Sequence, residues 1–274
     1  MLTFPNAKLN LGLYVTERRP DGFHTLESVF VPLPWTDALE LLPAPAGQAH
    51  NSITLTGRPI PGNPATNLCL RAYELLQADF PQLPPVQLFL HKIVPIGAGL
   101  GGGSADAAFA LKAANDLFEL KLSVENLESY ARRLGSDCAF FIRNQSVLAV
   151  ERGDVFEEID LNLTGIGCVV VYPNLHIGTA EAYARIRPQP PKHPLRAALA
   201  QPMSTWRATV SNDFETALTP TYPVLAEIKQ QLYAAGAAYA SLSGSGSAVY
   251  GLWTSGEPAA TAWPAEYTVW QGVL

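Results

Sequence analysis

The densest chemical signal in the chain is Pro95-Ile96-Gly97-Ala98-Gly99-Leu100-Gly101-Gly102-Gly103-Ser104-Ala105, which places five glycines in seven positions. Glycine removes the side chains that keep backbone N–H groups away from a ligand. The run leads into an alanine-rich stretch of helical spacing, and a helix N-terminus offers unpaired N–H groups and the positive end of a dipole. Together these make a cradle for a polyphosphate. The competing reading, a flexible strand-to-helix turn, leaves so many glycines unexplained. No Walker Gly-Lys-Ser/Thr ending is present, nor a His-Arg-Asp or Asp-Phe-Gly. Gly97, Gly99 and Gly102 satisfy GxGxxG by spacing, but that pattern needs a strand-borne acid about 20 residues on. Here that region reads as a helix carrying Glu125 and Glu128.

Other polar islands stand in apolar surroundings: Asn6-Ala7-Lys8-Leu9-Asn10, then Arg18 to His24, then Gly135-Ser136-Asp137, then Ser241 to Ser247. Residue type and spacing alone leave two readings for each. Lys8 is a solvated surface lysine or a cation set in an apolar strand. Asp137 is an N-cap for a helix at Cys138–Phe141 or a carboxylate that accepts a proton. His24 is a satisfied structural histidine or a ligand-binding one. Asp106 complements the helix dipole or faces a phosphate or Mg²⁺.

These islands need a scaffold. Ala7–Val15 alternates, with Leu9, Leu11, Leu13 and Val15 on one face of a strand. Thr25–Val31, Ala38–Leu42, Ser52–Thr56 and Val86–Ile93 read as further strands. Helical spacing marks Asn67–Ala78, capped by Asn67, and Ser104–Leu117, with Ala108, Leu111, Ala114 and Leu117 on one buried face. It also marks Val124–Leu134, capped by Ser123 and stopped at Gly135. Ser146–Val150 and Val155–Ile159 form a hairpin through Arg152-Gly153-Asp154, and Cys168–Tyr172 is an apolar strand. Val224–Ala235 is a helix, and Tyr239–Leu242 and Ala248–Trp253 are strands around the Ser/Gly turn. Pro32, Pro34, Pro43 and Pro45 punctuate the early region, and Pro188, Pro190, Pro191 and Pro194 mark a linker or irregular excursion. Strands and helices mix without strict βαβα alternation, which favours α+β over a doubly wound sheet. A boundary near 145–165 gives domains of 1–150 and 151–274.

With 48% hydrophobic and 15% charged residues, the chain is globular and not disordered. A net charge of −6 provides no basic surplus for nucleic acid or an anionic membrane. No apolar run approaches the roughly 20 residues that span a bilayer, and the first residues lack the apolar core of a signal peptide. Cys69, Cys138 and Cys168 are an odd number without CxxC spacing, so they read as reduced, buried thiols of a soluble cytoplasmic protein.

In order along nearly the whole chain stand Ala7-Lys8-Leu9-Asn10-Leu11, Asp21-Gly22-Phe23-His24, the Gly-Leu-Gly-Gly-Gly-Ser run at 99–104, Gly135-Ser136-Asp137 and Gly244-Ser245-Gly246. This set resembles the GHMP kinases, the family of galactokinase and of homoserine, mevalonate and phosphomevalonate kinases. It is most similar to members that phosphorylate a small-molecule substrate carrying a cytidine diphosphate group. The resemblance implies a two-domain α+β fold, with an N-terminal ATP-binding domain of ribosomal protein S5 domain 2-like type and a C-terminal ferredoxin-like α/β sandwich. It also implies ATP and Mg²⁺ as cofactors, and a monomer or weak homodimer.

By the same resemblance, Asp137 is the base or orienting group for the acceptor hydroxyl. Lys8 is the cation that pairs with it and neutralises charge on the transferring phosphoryl group. Phe23 and His24 clamp a nucleobase; Phe23 stands where most members have Tyr, which keeps the stacking and loses a phenolic hydrogen bond. Asn10 and Thr179 fall on the substrate side. Pro95 to Ala105 wrap the phosphates, Asn67 and Lys92 fall at the adenosine, Ser104 lies within reach of a phosphate or Mg²⁺, and the Ser243–Ser247 turn closes over the substrate or phosphate side. A homoserine- or mevalonate-type substrate has no base for Asp21–His24 to clamp. A catalytically silent member has no need of Lys8, Asp137 and an intact glycine loop.

Overall fold

A computed structural model describes residues 1–254 and 262–274. In chain order the elements begin with strands β1 (Leu2–Thr3), β2 (Asn6–Arg18), β3 (His24–Thr36), β4 (Ala38–Pro43) and β5 (Ser52–Gly57). Next come helix α1 (Leu68–Asp79), strand β6 (Val86–Lys92) and helices α2 (Gly102–Leu117), α3 (Val124–Leu134) and α4 (Phe140–Arg143). Strands β7 (Val147–Val150), β8 (Val155–Glu158) and β9 (Gly167–Tyr172) follow, then helices α5 (Thr179–Arg185), α6 (Leu195–Leu199), α7 (Trp206–Thr209), α8 (Asp213–Leu218) and α9 (Val224–Ala234). Strands β10 (Tyr239–Leu242), β11 (Val249–Trp253) and β12 (Thr268–Val273) complete the set.

The mixture is α+β, as the element order implies, but the two compact units interleave along the sequence. One takes Met1–Ala7, Trp35–Ile96 and Gly101–Gln145; the other takes Lys8–Pro34, Gly97–Leu100 and Ser146–Leu274. A single cut at 150 misses this, because Ser28, Val29 and Phe30 of β3 pair with Ala149, Leu148 and Val147 of β7, drawing the early hairpin into the later unit.

In the first unit a sheet of order β1-β4-β6-β5 is antiparallel except where β5 runs parallel to β6, with α1 as the crossover. The Asn67 side chain caps α1 by accepting from Cys69 N–H at 2.9 Å. The sequence predicts one buried face for α2. Instead Ala105, Ala107, Ala108, Ala110, Leu111, Ala113 and Ala114 are all buried, because α2 is packed by α1, α3 and α4 and touched by β4. Alanine makes this possible by allowing close approach on every side without loss of helix propensity. Ser123 caps α3, with Glu125 in the first turn and Arg132 and Arg133 in the last, each complementing the dipole.

The second unit holds two sheets, of order β2-β3-β7-β8 and β10-β11-β9-β12. Its core joins Leu13 and Val15 of β2 to Val169 and Val171 of β9, and to Phe214, Leu225, Ile228 and Leu232 of the helices. Asn6 to Val15 is buried on both faces of β2, so the polar positions Lys8 and Asn10 are interior as well. Pro32 and Pro34 lie inside β3 rather than ending it. They sit beyond the stretch of β3 paired with β7. The Pro188–Pro194 stretch is not a linker, since Gln189 N–H donates to Val15 O at 3.1 Å within this unit. The three cysteines are free and buried, and among the described residues no helix is long and apolar enough to cross a membrane.

Candidate active site

In the first unit, the start of α2 is built for an anion. Gly101, left-handed at φ +70°, is its N-cap, no side chain caps the helix, and its first turn carries no acid. A Cβ on Gly103 would project into open space, so no neighbouring atom crowds that point of the turn. The helix begins two residues earlier than expected, which places Ser104 inside its first turn. Cys138 N–H closes the Gly135–Cys138 turn by donating to Gly135 O at 3.2 Å. The Ser104 hydroxyl is near enough to the Cys138 thiol to offset part of the rise that burial causes, so Asp137 lies in a turn close to the same helix start. Ser136 Oγ donates to Asp137 Oδ1 at 3.4 Å. The N-cap of α4 is Ala139, two residues beyond Asp137, so the capping reading of Asp137 is not borne out.

Beneath the loop lies a buried ionic cluster. Lys92 Nζ pairs with Asp37 Oδ2 and, at 2.8 Å, with Asp106 Oδ2. Asp37 Oδ1 accepts from Ile93 N–H at 2.6 Å and Val94 N–H at 2.9 Å. The cluster therefore ties the end of β6, where the glycine run starts, to the body of α2, where it finishes. Gly102 packs closely against this cluster, since a Cβ there would lie 3.2 Å from both Lys92 Nζ and Val94 Cγ1. This corrects two expectations. Lys92, expected at the adenosine, has its ammonium buried and held by two carboxylates; Asp106, expected at a phosphate or complementing the dipole, faces inward. A basic residue near a phosphate loop reads the same in sequence whether it points at a ligand or at buried acids. Asn67 is engaged through its Oδ1 as the α1 cap.

Two carboxylates share one cation here. Burial pushes the Asp106 carboxyl up to about 7 against the pull of Lys92, with Asp37 adding to the rise. Burial pulls the Lys92 ammonium down, but the two acids outweigh it and its value is raised. A raised carboxyl stabilises the fold fully below its unfolded value of 3.8 and loses that contribution as pH rises through 7. The unfolding temperature is therefore expected to fall between pH 6 and pH 8.5 by a few degrees, roughly 1 kcal/mol. Asp106→Asn should flatten that decline in thermal melts; an equal slope in both proteins would exclude Asp106 as its source.

In the second unit, Gly97–Leu100 is strapped to the Ser/Gly turn and to β2. Lys8 N–H donates to Leu100 O at 2.9 Å, Ala248 N–H to Ala98 O at 3.1 Å, and Ser243 Oγ to Gly99 O at 2.9 Å. A Cβ on Gly99, which has φ +79°, would meet Ser243 O at 2.0 Å, so only glycine fits. Ser243 and Ser247 are buried. The hydroxyls of this turn, which was expected to close over the substrate or phosphate side, grip Gly99 O of the glycine run and Leu175 O.

Lys8 is buried, with its ammonium 4.8 Å from the centre of the Phe30 ring and donating to Asn10 Oδ1. Asn10 is buried too, and its Nδ2 donates to Ser28 Oγ at 2.9 Å. Asn10 was expected to reach the substrate; its side chain is engaged in holding the lysine.

Farther along this unit, the tips of two hairpins meet. Arg19 bridges Asp21 and Glu151, Phe23 N–H donates to Asp21 Oδ1 at 3.1 Å, and the Arg152 guanidinium lies 5.3 Å from the Phe23 ring centre. Phe23 remains 57% exposed, a large aromatic face held open to solvent. His24 stacks on Tyr183 of α5, with centroids 4.9 Å apart and planes at 30°. Burial, aided by the Arg18 charge, pulls the His24 imidazole below its usual value, so at neutral pH it offers one donor and one acceptor. Thr179 opens α5 one turn before Tyr183 and so shares its face. Sequence reasoning missed Tyr183; the Glu181–Arg185 pair at i,i+4 was the helical signal that could have found it.

A phosphate-ready helix start, a carboxylate beside it and a separate aromatic cluster define a small-molecule phosphotransferase. The GHMP kinases N terminal domain matches residues 67–145 and the GHMP kinases C terminal domain matches residues 195–268. The chain belongs to the GHMP kinases, which makes it an ATP-dependent small-molecule kinase. It is 49% identical to the 4-diphosphocytidyl-2-C-methyl-D-erythritol kinase of Bacteroides fragilis over 94% of this chain and 93% of that one. It is 39% identical to the enzyme of the same name from Porphyromonas gingivalis over the full length of both. A crystal structure of 4-(cytidine 5'-diphospho)-2C-methyl-D-erythritol kinase superposes with a TM-score of 0.79 at 32% identity, covering 93% of this chain and 91% of that one. Methanococcus jannaschii mevalonate kinase, 15% identical with a TM-score of 0.67 over 92% and 90%, shares the fold.

Proposed function

We propose that this protein transfers the γ-phosphoryl group of ATP to the 2-hydroxyl of 4-diphosphocytidyl-2-C-methyl-D-erythritol, in the cytoplasm, in the non-mevalonate route to isoprenoid precursors. The observation that carries the substrate assignment is the exposed Phe23 ring beside the His24–Tyr183 stack. An aromatic face and a neutral imidazole suit a cytosine, and neither homoserine nor mevalonate has a base to place there.

The N–H groups of the first turn of α2, Gly102–Ser104, receive the ATP phosphates. The Ser104 hydroxyl is the side-chain oxygen for a Mg²⁺ that travels with them, in keeping with that ion's preference for phosphate oxygens and few protein ligands. Bound ATP supplies the phosphoryl group. Asp137 takes the proton of the acceptor hydroxyl or orients it, and Lys8 neutralises charge on the transferring group. Thr179 contacts the substrate from the face of α5 that carries Tyr183.

The test is a substrate panel with ATP and Mg²⁺. Turnover is expected on the cytidine-bearing substrate and not on homoserine or mevalonate; equal or better turnover of either would remove the assignment. Phe23→Ala should raise KM for the cytidine substrate about 10-fold, at the low end of the 1–3 kcal/mol a stacked base contributes. KM for ATP should stay unchanged, and a parallel rise in both would separate Phe23 from the base.

A further inference from the structure

Lys8, Asn10, Ser28 and Gly12 O form a hydrogen-bond chain whose direction is fixed at every link. An ammonium only donates, so Asn10 must turn Oδ1 to Lys8. The amide nitrogen is then committed to Ser28, which accepts on Oγ at 2.9 Å. Ser28 spends its own proton on Gly12 O at 2.6 Å. Lys8, Asn10 and Gly12 alternate along β2 and share one face, while Ser28 and Phe30, two apart on β3, supply the neighbouring positions. Ser28 is 0% exposed, and the main chain of Asn10 is fixed as well, its N–H by Ser243 Oγ at 3.3 Å and its C=O by Tyr250 OH at 2.8 Å. With the main chain fixed, an amide flip is the change that would reverse this polarity, and Ser28 blocks it. A flipped amide would point N–H donors at the ammonium.

We propose that Ser28 is a positioning residue for phosphoryl transfer: by locking the Asn10 amide it sets where the Lys8 ammonium sits. This rests on the reading of Lys8 as the charge-neutralising cation. Ser28 does not touch substrate or nucleotide; it acts through Asn10. An error of about 1 Å in placing a catalytic group can cost about 100-fold in rate, so a hydroxyl two links away matters to kcat and not to binding.

The experiment measures kcat and both KM values for Ser28→Ala, Ser28→Thr, Lys8→Met and the Ser28→Ala/Lys8→Met double variant. Ser28→Ala is expected to lower kcat about 10- to 100-fold, with each KM within about 2-fold of wild type. Ser28→Thr, which restores a hydroxyl on a β-branched side chain suited to a strand, should recover most of it. In the Lys8→Met background Ser28→Ala should cost nothing further, because the group it positions is gone. The proposal is overturned if Ser28→Ala keeps its kcat, if Ser28→Thr fails to restore it, or if the two losses multiply. If Ser28→Ala does not fold, Ser28→Cys reads the same quantity with a weaker acceptor of similar size. Full activity in Lys8→Met alone would instead remove the underlying reading of the lysine, and this inference with it.

Discussion

Asp137→Asn is expected to lower kcat about 1,000-fold, within the 10²–10⁴ range for losing a positioned proton acceptor, and to leave KM for ATP unchanged. Asparagine keeps the shape of the side chain and its capacity to accept from Ser136 Oγ, but it cannot take a proton. Asp137 is not the N-cap of α4, so the substitution removes no helix cap. Steady-state kinetics with the cytidine substrate check this. A kcat within about 3-fold of wild type would leave Asp137 no part in moving the proton.

Lys8→Met is expected to lower kcat by about 100- to 1,000-fold, the loss seen when one preorganised charge stabiliser is removed from a dry site. Methionine matches the length of the buried stem and can keep its contact with the Phe30 ring, so the variant tests charge rather than packing. Part of the cost to the fold is the Asn10 Oδ1 left without this donor, about 1–3 kcal/mol. Thermal melts should show that modest loss alongside the much larger kinetic one. A fall in stability without a fall in kcat would make Lys8 a core residue only.

The helices that frame the phosphate cradle were legible because each carries its own local signals. Asn67 and Ser123 cap α1 and α3 as their residue types require. The hairpin of β7 and β8 turns through Arg152-Gly153-Asp154 as its alternation predicts. The short helices α5 to α8 escaped detection because they have four to seven residues each, too few for a period to show. Strand β12 escaped too, although its alternating exposure is that of a half-covered strand.

In the site, the glycine run was readable from its density alone, although Gly99 also meets a packing demand against Ser243 O that no local signal announces. The destinations of Lys92 and Asn10 were not, since a polar residue in an apolar strand looks the same whether it faces a ligand or a buried partner on another segment. Asp37, 55 positions from Lys92, decides the matter for that lysine, and nothing local announces it. Ser28, 18 positions from Asn10, does the same for the asparagine.

The central claim is that the triphosphate of ATP lies on the main-chain amides of the first turn of α2, with Asp137 beside it. A crystal structure with a nonhydrolysable ATP analogue and Mg²⁺ tests it most directly. Phosphate oxygens within hydrogen-bond distance of the N–H groups of Gly102, Gly103 and Ser104 are the predicted result. Phosphates seated elsewhere, with those amides left to solvent, would contradict it.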